Sequence, residues 1–213
     1  MEIYISINGV LRNLIQKFNY HYNDAYIMAS NIDDDDIFEY GVTEPIQNDN
    51  LLESYKFQSK QQFEYFLYIE YVLEIFGHAG LSQENVISTL NKLIAENKEH
   101  NFTLIGLDEF GKAKPATLFF LSKNGFMGDN IKFVKSVDID DLWSKCDYWV
   151  TDDKQVIEKC PKGKTVVKYN TQFNQHFTNY KEISKLQEIN ETWLISLENN
   201  TTLISTESST NVK

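Results

Sequence analysis

Short apolar runs alternate with stretches of helical spacing along most of the chain. The runs are rich in β-branched and aromatic residues and end at polar or glycine positions, which is typical of strands. They lie at residues 3–7, 102–105, 131–134, 148–150 and 165–167. The intervening stretches with helical character are 10–28, 61–76, 82–98, 115–121, 139–145 and 154–159, with one more helix through Leu186 and Ile189.

This order of strands and helices predicts an α/β fold. Short strands separated by helices form mostly parallel sheets covered on both faces, with right-handed crossovers and a crevice at the carboxyl ends of the strands. We therefore expect a Rossmann-like sheet of about five strands flanked by helices, and we expect any functional site at that edge of the sheet.

Local signals mark some of the element ends. Gly9 follows the first apolar run at a sharp turn, where a residue without Cβ accepts conformations that others resist. Gly77 ends the second helix, Ser82 is a candidate N-cap for the third, and Pro115 suits the first turn of a later helix.

Two segments break the periodic pattern. Residues 29–56 are polar and contain Asp33 to Asp36, whose spacing lacks the alternation and glycine of an EF-hand loop, so we expect a solvated acidic loop within a cap-like insertion over about residues 20–80. After a short predicted strand around residues 193–197, residues 199–213 are rich in Ser, Thr and Asn. The domain prediction is therefore residues 1–198, followed by a tail at 199–213.

Composition and charge exclude several classes of function. A net charge of −11 over 213 residues disfavours a nucleic-acid platform, because a phosphate backbone would be repelled on average. Two cysteines and four scattered histidines show neither a disulfide framework nor zinc-ligand spacing. No apolar run is long enough to span a membrane and no signal peptide is recognisable, so we expect an intracellular origin.

The first and fourth predicted strands each lead into a motif-like segment. Residues 3–12 read Ile-Tyr-Ile-Ser-Ile-Asn-Gly-Val-Leu-Arg, and residues 148–153 read Tyr-Trp-Val-Thr-Asp-Asp. The first resembles the opening motif of the haloacid dehalogenase (HAD) phosphatases, an apolar strand running into Asp-x-Asp-Gly-Val. The second resembles the family's fourth motif, in which Asp152 and Asp153 would stand near magnesium.

Other positions fit the same order. Gly106 stands where the family has Ser or Thr, and Lys112 or Lys114 follows where it has a phosphate-pairing lysine. The stretch through Pro161, Gly163, Lys164 and Asn174 resembles the continuation found in 5'-nucleotidase-like members. The resemblance covers roughly residues 1–174 and implies a HAD-like version of the α/β fold.

The resemblance also implies loss of catalysis. HAD phosphatases form a phosphoaspartate, so their first acid is a carboxylate nucleophile, whereas Ser6 would need a base that its neighbours Ile5 and Ile7 do not provide. Asn8 cannot act as the general acid, and Gly106 has no hydroxyl. We therefore predict no catalytic residue and no cofactor, with weak Mg²⁺ binding through Asp152 and Asp153 as one alternative and capping of the helix near Lys154 as the other.

The leading hypothesis is a pseudoenzyme that acts as a structural or protein-interaction module within a homo- or hetero-oligomeric assembly, without nucleic acid or membrane. Residues 114–123 resemble HAD-like proteins of crAss-like tailed phages, which implies synthesis in the host cytoplasm and assembly into a virion, for example in a neck or tail ring. The alternatives are a weak magnesium-dependent 5'-nucleotidase-like phosphohydrolase using Asn8, Lys112 and Asp152 or Asp153, and a non-hydrolysing sensor of a phosphorylated metabolite.

Overall fold

Strands and helices alternate in this computed structural model, which describes residues 1–28, 40–42, 51–190 and 193–194. The strands are β1 (Glu2–Ser6), β2 (Arg12–Asn13), β3 (Gly80–Leu81), β4 (Asn101–Leu107), β5 (Ile131–Val134), β6 (Tyr148–Thr151), β7 (Thr165–Tyr169) and β8 (Lys181–Ile183). The α-helices are α1 (Ile15–Tyr22), α2 (Leu51–Ser54), α3 (Lys60–Tyr65), α4 (Val86–Glu96), α5 (Lys114–Lys123), α6 (Ile139–Lys145) and α7 (Lys154–Glu158). Wider π-helical turns span Asn23–Met28, Phe66–Glu70 and Leu73–Gly77, and 3-10 turns span Ser136–Asp138 and Leu186–Glu188. Among these described helices, none has the length and apolar character needed to cross a bilayer.

Six strands form one parallel sheet in the order β5-β4-β1-β6-β7-β8. The predicted α/β class with a mostly parallel sheet is confirmed, with six strands where about five were expected. The extra strand, β8, is an edge strand whose Lys181 and Glu182 are exposed, so it carries no apolar run. Counted along the chain, the order reverses between β1 and β6, and such a switch point is where α/β sheets open a crevice at their carboxyl ends.

The two faces of the sheet bury different side chains because successive residues of a strand point to opposite sides. Ile3 and Ile5 of β1 pack on the side of α4 and α5, in a core with Leu90 and Phe120. Tyr4 points the other way, into a core with Trp149 and residues of α6 and α7. Each large apolar side chain buried in this way contributes about 1.5–3 kcal/mol.

A third core lies beside the sheet and is built from aromatic rings. We call it the aromatic cluster; its fully buried members are Phe18, Tyr22, Tyr55, Phe66, Leu67, Ile75, Phe76, Ala113 and Ala116. Six of these nine members come from the predicted cap-like insertion, whereas Phe18 precedes that range, Ala113 immediately precedes α5 and Ala116 belongs to α5. The hydroxyl of Tyr22 holds residues 41 and 56 together by donating to the carbonyl of Lys56 and accepting from the backbone amide of Gly41 at 3.1 Å.

The predicted helix at residues 61–76 is present but interrupted. It begins as α3 and continues through two π-helical turns that are separated at Tyr71 and Val72. Phe66 and Phe76, one in each of the two π-helical turns, are both buried in the aromatic cluster.

Several local predictions were wrong. Ser82 does not cap α4: the helix begins at Val86 after Asn85, which adopts the left-handed conformation, and the Ser82 hydroxyl donates to the Val10 carbonyl instead. The helix predicted from residue 10 begins only at Ile15, because residues 12–13 pair with residues 80–81 as an antiparallel β2–β3 ladder.

Two predictions for the C-terminal part of the chain were also wrong. A short 3-10 turn replaces the helix predicted through Leu186 and Ile189. Trp193 and Leu194 are helical where a strand was predicted. The acidic loop at Asp33 to Asp36, much of the polar segment at 29–56 and the tail at 199–213 lie outside the described residues.

Pro115 occupies the first turn of α5, as predicted.

Candidate functional site

An open crevice of about 900 Å³ lies at the carboxyl ends of β1 and β6, at the switch point of the sheet. Ser6, Asn8, Asp152 and Asp153 line it together, so four of the predicted motif positions meet there. One wall is formed by residues 169–173 after β7, and the opposite wall by side chains of the aromatic cluster and its surroundings, among them Phe63, Tyr68 and Phe76.

The hydroxyl of Ser6 is buried and fully engaged in structural hydrogen bonds. It accepts a hydrogen bond from Nε1 of Trp149 at 3.1 Å and donates one to Oγ1 of Thr151 at 2.8 Å. Thr151 Oγ1 in turn accepts from the backbone amide of Asp153 at 3.1 Å. Neither Trp149 nor Thr151 is a base, so these contacts hold the Ser6 proton in place rather than remove it.

Asn8 is held by the guanidinium of Arg12. The amide oxygen of Asn8 accepts from Arg12 Nε at 2.8 Å, while Nη1 donates to the Phe76 carbonyl at 2.8 Å and Nη2 donates to Thr117 Oγ1 at 3.0 Å. The guanidinium carbon also lies 5.1 Å from the centre of the Phe76 ring and 5.5 Å from that of Phe120. Arg12 therefore joins the loop after β1 to the aromatic cluster and to α5.

Arg12 is an unusual charged residue because only 1% of its surface is exposed to solvent. Burial lowers the pKa of Arg12 to about 9, and the nearby carboxylate of Asp108 opposes that shift. Asp108 is itself buried, and its two oxygens accept the backbone amides of Lys112 at 3.1 Å and Lys114 at 3.0 Å.

Sequence reasoning did not assign a role to Arg12 or Asp108. One feature of the sequence sets Arg12 apart: it is the only arginine, and it directly follows the apolar pair Val10 and Leu11. A guanidinium offers five donors in a fixed planar fork, which a lysine cannot match, so a single arginine in such a chain indicates a position where several acceptors must be satisfied together.

The carboxylate of Asp152 packs against the backbone of Gly9. Gly9 has a φ of +77°, and a Cβ built there would lie 2.0 Å from both carboxylate oxygens of Asp152. The turn role predicted for Gly9 is therefore confirmed, and the glycine also leaves the space that the Asp152 side chain fills. This contact fixes Asp152 at the floor of the crevice.

Asp153 caps a helix. Its Oδ1 accepts the backbone amide of Val156 at 3.1 Å, and α7 begins at the next residue, Lys154. A side-chain acceptor at this position satisfies an otherwise unpaired amide of the first turn. The two predicted roles of Asp153 were helix capping and weak Mg²⁺ binding, and this hydrogen bond is a helix cap.

Asn174 organises the turn that forms one wall of the crevice. Its side-chain amide donates to the carbonyl of Tyr169 at 2.8 Å and to that of Asp152 at 3.4 Å, while its oxygen accepts from the amide of Thr171 at 3.1 Å. The buried Asn174 thus ties the loop after β7 to the end of β6.

Gly106, Lys112 and Lys114 are not among the residues that line the crevice. A Cβ at Gly106 would lie 3.0 Å from the ring of Phe133 and 3.5 Å from Ile7 Cδ1, so this glycine gives space to a ring on the neighbouring strand. Lys112 and Lys114 are exposed, and the Lys114 ammonium lies 5.5 Å from the centre of that same Phe133 ring.

Replacing Gly106 with serine should therefore lower the free energy of unfolding by about 1–2 kcal/mol, because overpacking a filled site forces neighbours to shift. Urea denaturation measures the effect. Combining the change with Phe133→Leu, which shortens the opposing side chain, should recover part of the loss. Equal stability of the wild type and Gly106→Ser would show that the ring moves aside without cost.

Glu109 and Glu158 line the same crevice as Asp152 and Asp153. Within residues 1–28, 40–42, 51–190 and 193–194, no group of three or more His, Cys, Asp or Glu side chains is arranged to hold a metal ion. Weak Mg²⁺ binding by the two aspartates remains a prediction.

No protein-family model matches the sequence, and no match was found among curated proteins.

Proposed function

We propose that this protein is a non-catalytic, HAD-like α/β domain that serves as a structural or protein-interaction module. The observation that supports the proposal best is the state of Ser6, whose hydroxyl is closed into the hydrogen-bonded series from Trp149 to Thr151 and on to the amide of Asp153. A nucleophile needs an adjacent base, and neither of the side chains hydrogen-bonded to this hydroxyl is one.

The second motif position supports the same conclusion. A general acid in a phosphatase donates a proton to the leaving oxygen and later accepts one from water, which requires a titratable group. Asn8 carries an uncharged amide, and its oxygen is occupied by Arg12 Nε. Loss of a nucleophile and a general acid that act together removes several orders of magnitude in rate and leaves only binding and positioning.

A hydrolysis assay tests this proposal. With p-nitrophenyl phosphate and Mg²⁺, we expect the wild type to release product no faster than Asp152→Ala or than Asp141→Ala, a control that removes an exposed carboxylate on α6. The combined variant Ser6→Asp with Asn8→Asp restores both acids and shows whether the remaining scaffold supports turnover.

Two outcomes distinguish the non-catalytic role from the enzymatic alternative. Equal background rates in the wild type and both alanine variants support the non-catalytic role. Robust wild-type turnover that is lost in Asp152→Ala but kept in Asp141→Ala would instead establish the weak magnesium-dependent 5'-nucleotidase-like phosphohydrolase, which would use Asp152 at the floor of the crevice.

The resemblance of residues 114–123 to phage proteins leads us to propose a virion component, for example a neck or tail ring subunit. These residues form α5, and Leu118 and Phe119 of that helix are exposed. Particle fractionation followed by mass spectrometry, together with light scattering of the purified protein, tests this part. A protein that stays monomeric and is absent from purified particles would contradict it.

A further inference from the structure

Exposed apolar side chains concentrate on one part of the surface. Of the ten large hydrophobic residues that are exposed within the described residues, six lie on α1, on the helical stretch 60–77 or on α5. We call this surface the helical patch; its members are Tyr20, Tyr65, Ile69, Leu73, Leu118 and Phe119. Single exposed apolar residues are ordinary, whereas a grouped set of them is typical of an interaction site.

Side-chain contacts connect these residues. Leu73 and Phe119 both close over Gly77, where a Cβ would lie 2.7 Å from Leu73 Cδ1 and 3.1 Å from Phe119 Cδ1. At the other end, the ring of Tyr20 lies 5.1 Å from that of His21, which stacks 4.7 Å from the ring of Tyr71. Tyr71 belongs to the same helical stretch as Ile69 and Leu73, so ring contacts link α1 to that stretch, and the Leu73–Gly77–Phe119 contacts link the stretch to α5.

The border of the helical patch is acidic. Residues 61–77 contain Glu64, Glu70 and Glu74 and neither lysine nor arginine. Burial raises the pKa of Tyr71, and the nearby carboxylates of Glu70 and Asp24 raise it further. Among the lysines nearby, Lys60 pairs with Glu64, and Lys123 Nζ lies 3.5 Å from Nδ1 of His78. Burial lowers the pKa of His21, Glu74 opposes that shift, and Lys17 adds to it.

The size of the patch limits what can cover it. Six half-exposed side chains of this kind present roughly 500 Å² of mostly apolar surface, by comparison with about 150–250 Å² for one aromatic side chain. A standard interface between folded proteins takes about 800 Å² from each partner. A single helix that lies across the patch matches this area better. It would contact the patch through apolar side chains at helical spacing.

We propose that the helical patch docks a basic, amphipathic helix of a partner protein. This inference rests on the proposed interaction role and names the surface and the chemistry of the partner. Lysines or arginines flanking the apolar face of that helix would lie against Glu70 and Glu74, since Glu64 already pairs with Lys60. A second copy of this chain fits less well, because a two-fold contact would bring the same glutamates together in a protein of net charge −11.

A labelled model peptide tests the docking. The probe is a fluorescein-labelled amphipathic helix of leucine and lysine, and its binding to the full chain is followed by fluorescence anisotropy at low and at high salt. We expect Ile69→Ser with Leu73→Ser to weaken binding by about tenfold or more, because central apolar anchors carry most of the affinity of an interface. Glu70→Gln with Glu74→Gln should weaken binding a few-fold at low salt and much less at high salt.

The matched control removes two exposed apolar side chains elsewhere. Met127 and Val137 are 82% and 77% exposed and lie outside the patch, so Met127→Ser with Val137→Ser should bind the peptide as the wild type does. Circular dichroism and urea denaturation confirm that each variant is folded, which is expected because none of the replaced side chains belongs to a buried core.

Three results would overturn the docking proposal: unchanged affinity in Ile69→Ser with Leu73→Ser, an equal loss in the control, or photo-crosslinks from the peptide to residues away from the patch. A wild-type dimer in light scattering that dissociates in the patch variant would assign the surface to a second copy instead. None of these results depends on the hydrolysis assay, so failure of the docking site and failure of the non-catalytic role are separable.

Discussion

Replacing Gly9 with alanine should lower the free energy of unfolding by about 3 kcal/mol, since a left-handed backbone costs an L-residue about 1–2 kcal/mol and overpacking adds a similar amount. Both costs arise at this position. Gly9 has a φ of +77°, and the new methyl group would lie 2.0 Å from the carboxylate oxygens of Asp152. Urea denaturation measures the loss.

The chain offers a control that separates the two costs. Gly125 has almost the same φ, +76°, but no atom lies within 4 Å of the position of its Cβ. Gly125→Ala should therefore lose only the backbone contribution, about 1–2 kcal/mol. Adding Asp152→Ala to Gly9→Ala removes the clashing atoms and should recover about 1–2 kcal/mol, a coupling typical of residues in direct contact. Strictly additive effects would show that the Gly9–Asp152 contact does not exist.

Arg12→Met should cost about 3 kcal/mol, because each buried acceptor left without its donor is destabilising by about 1–3 kcal/mol. Three acceptors are affected: the side-chain oxygens of Asn8 and Thr117 and the carbonyl of Phe76. The cost is limited because methionine keeps much of the volume and also removes the desolvation cost of a buried charge. The free energy of unfolding from urea titration is the measured quantity.

Two further variants make this result specific. Arg12→Lys keeps the positive charge but cannot reach acceptors in three directions, so we expect a loss close to that of Arg12→Met. Lys92→Met, on the exposed face of α4, should change stability by about 0.5 kcal/mol or less. An Arg12→Met protein as stable as the wild type would mean that the buried guanidinium network contributes nothing to the fold.

The sheet was largely predictable because most of its strands have a distinctive amino-acid composition. The runs at 102–105 and 148–150 lie within β4 and β6, since strands buried in a parallel sheet are nearly continuous in β-branched and aromatic residues. The same rule fails for β8, whose Lys181 and Glu182 lie at the sheet edge and need no burial. Ser82 misled for another reason: its hydroxyl pairs with Val10, a residue far away in the sequence.

The candidate site was predictable in position but not in its internal bonding. The carboxyl edge of the sheet was the expected place of any functional site, and Ser6 and Asp152 both line the crevice there. The partners of Ser6 follow from strand pairing across a separation of more than a hundred residues, and no local pattern specifies them. Gly106 shows the limit most clearly, since the direction of its missing Cβ depends on a register that a shift of one residue reverses.

The buried link made by Arg12 has a consequence for how the domain meets other molecules. A cap that opens and closes over a crevice has to separate from the sheet, whereas here the guanidinium bonds the loop after β1, the carbonyl of Phe76 in the aromatic cluster and Thr117 of α5 at once. Motion between these parts would break all three bonds together. The surface that they carry is therefore preorganised, and a partner that settles on it meets a shape already set and loses little affinity to ordering.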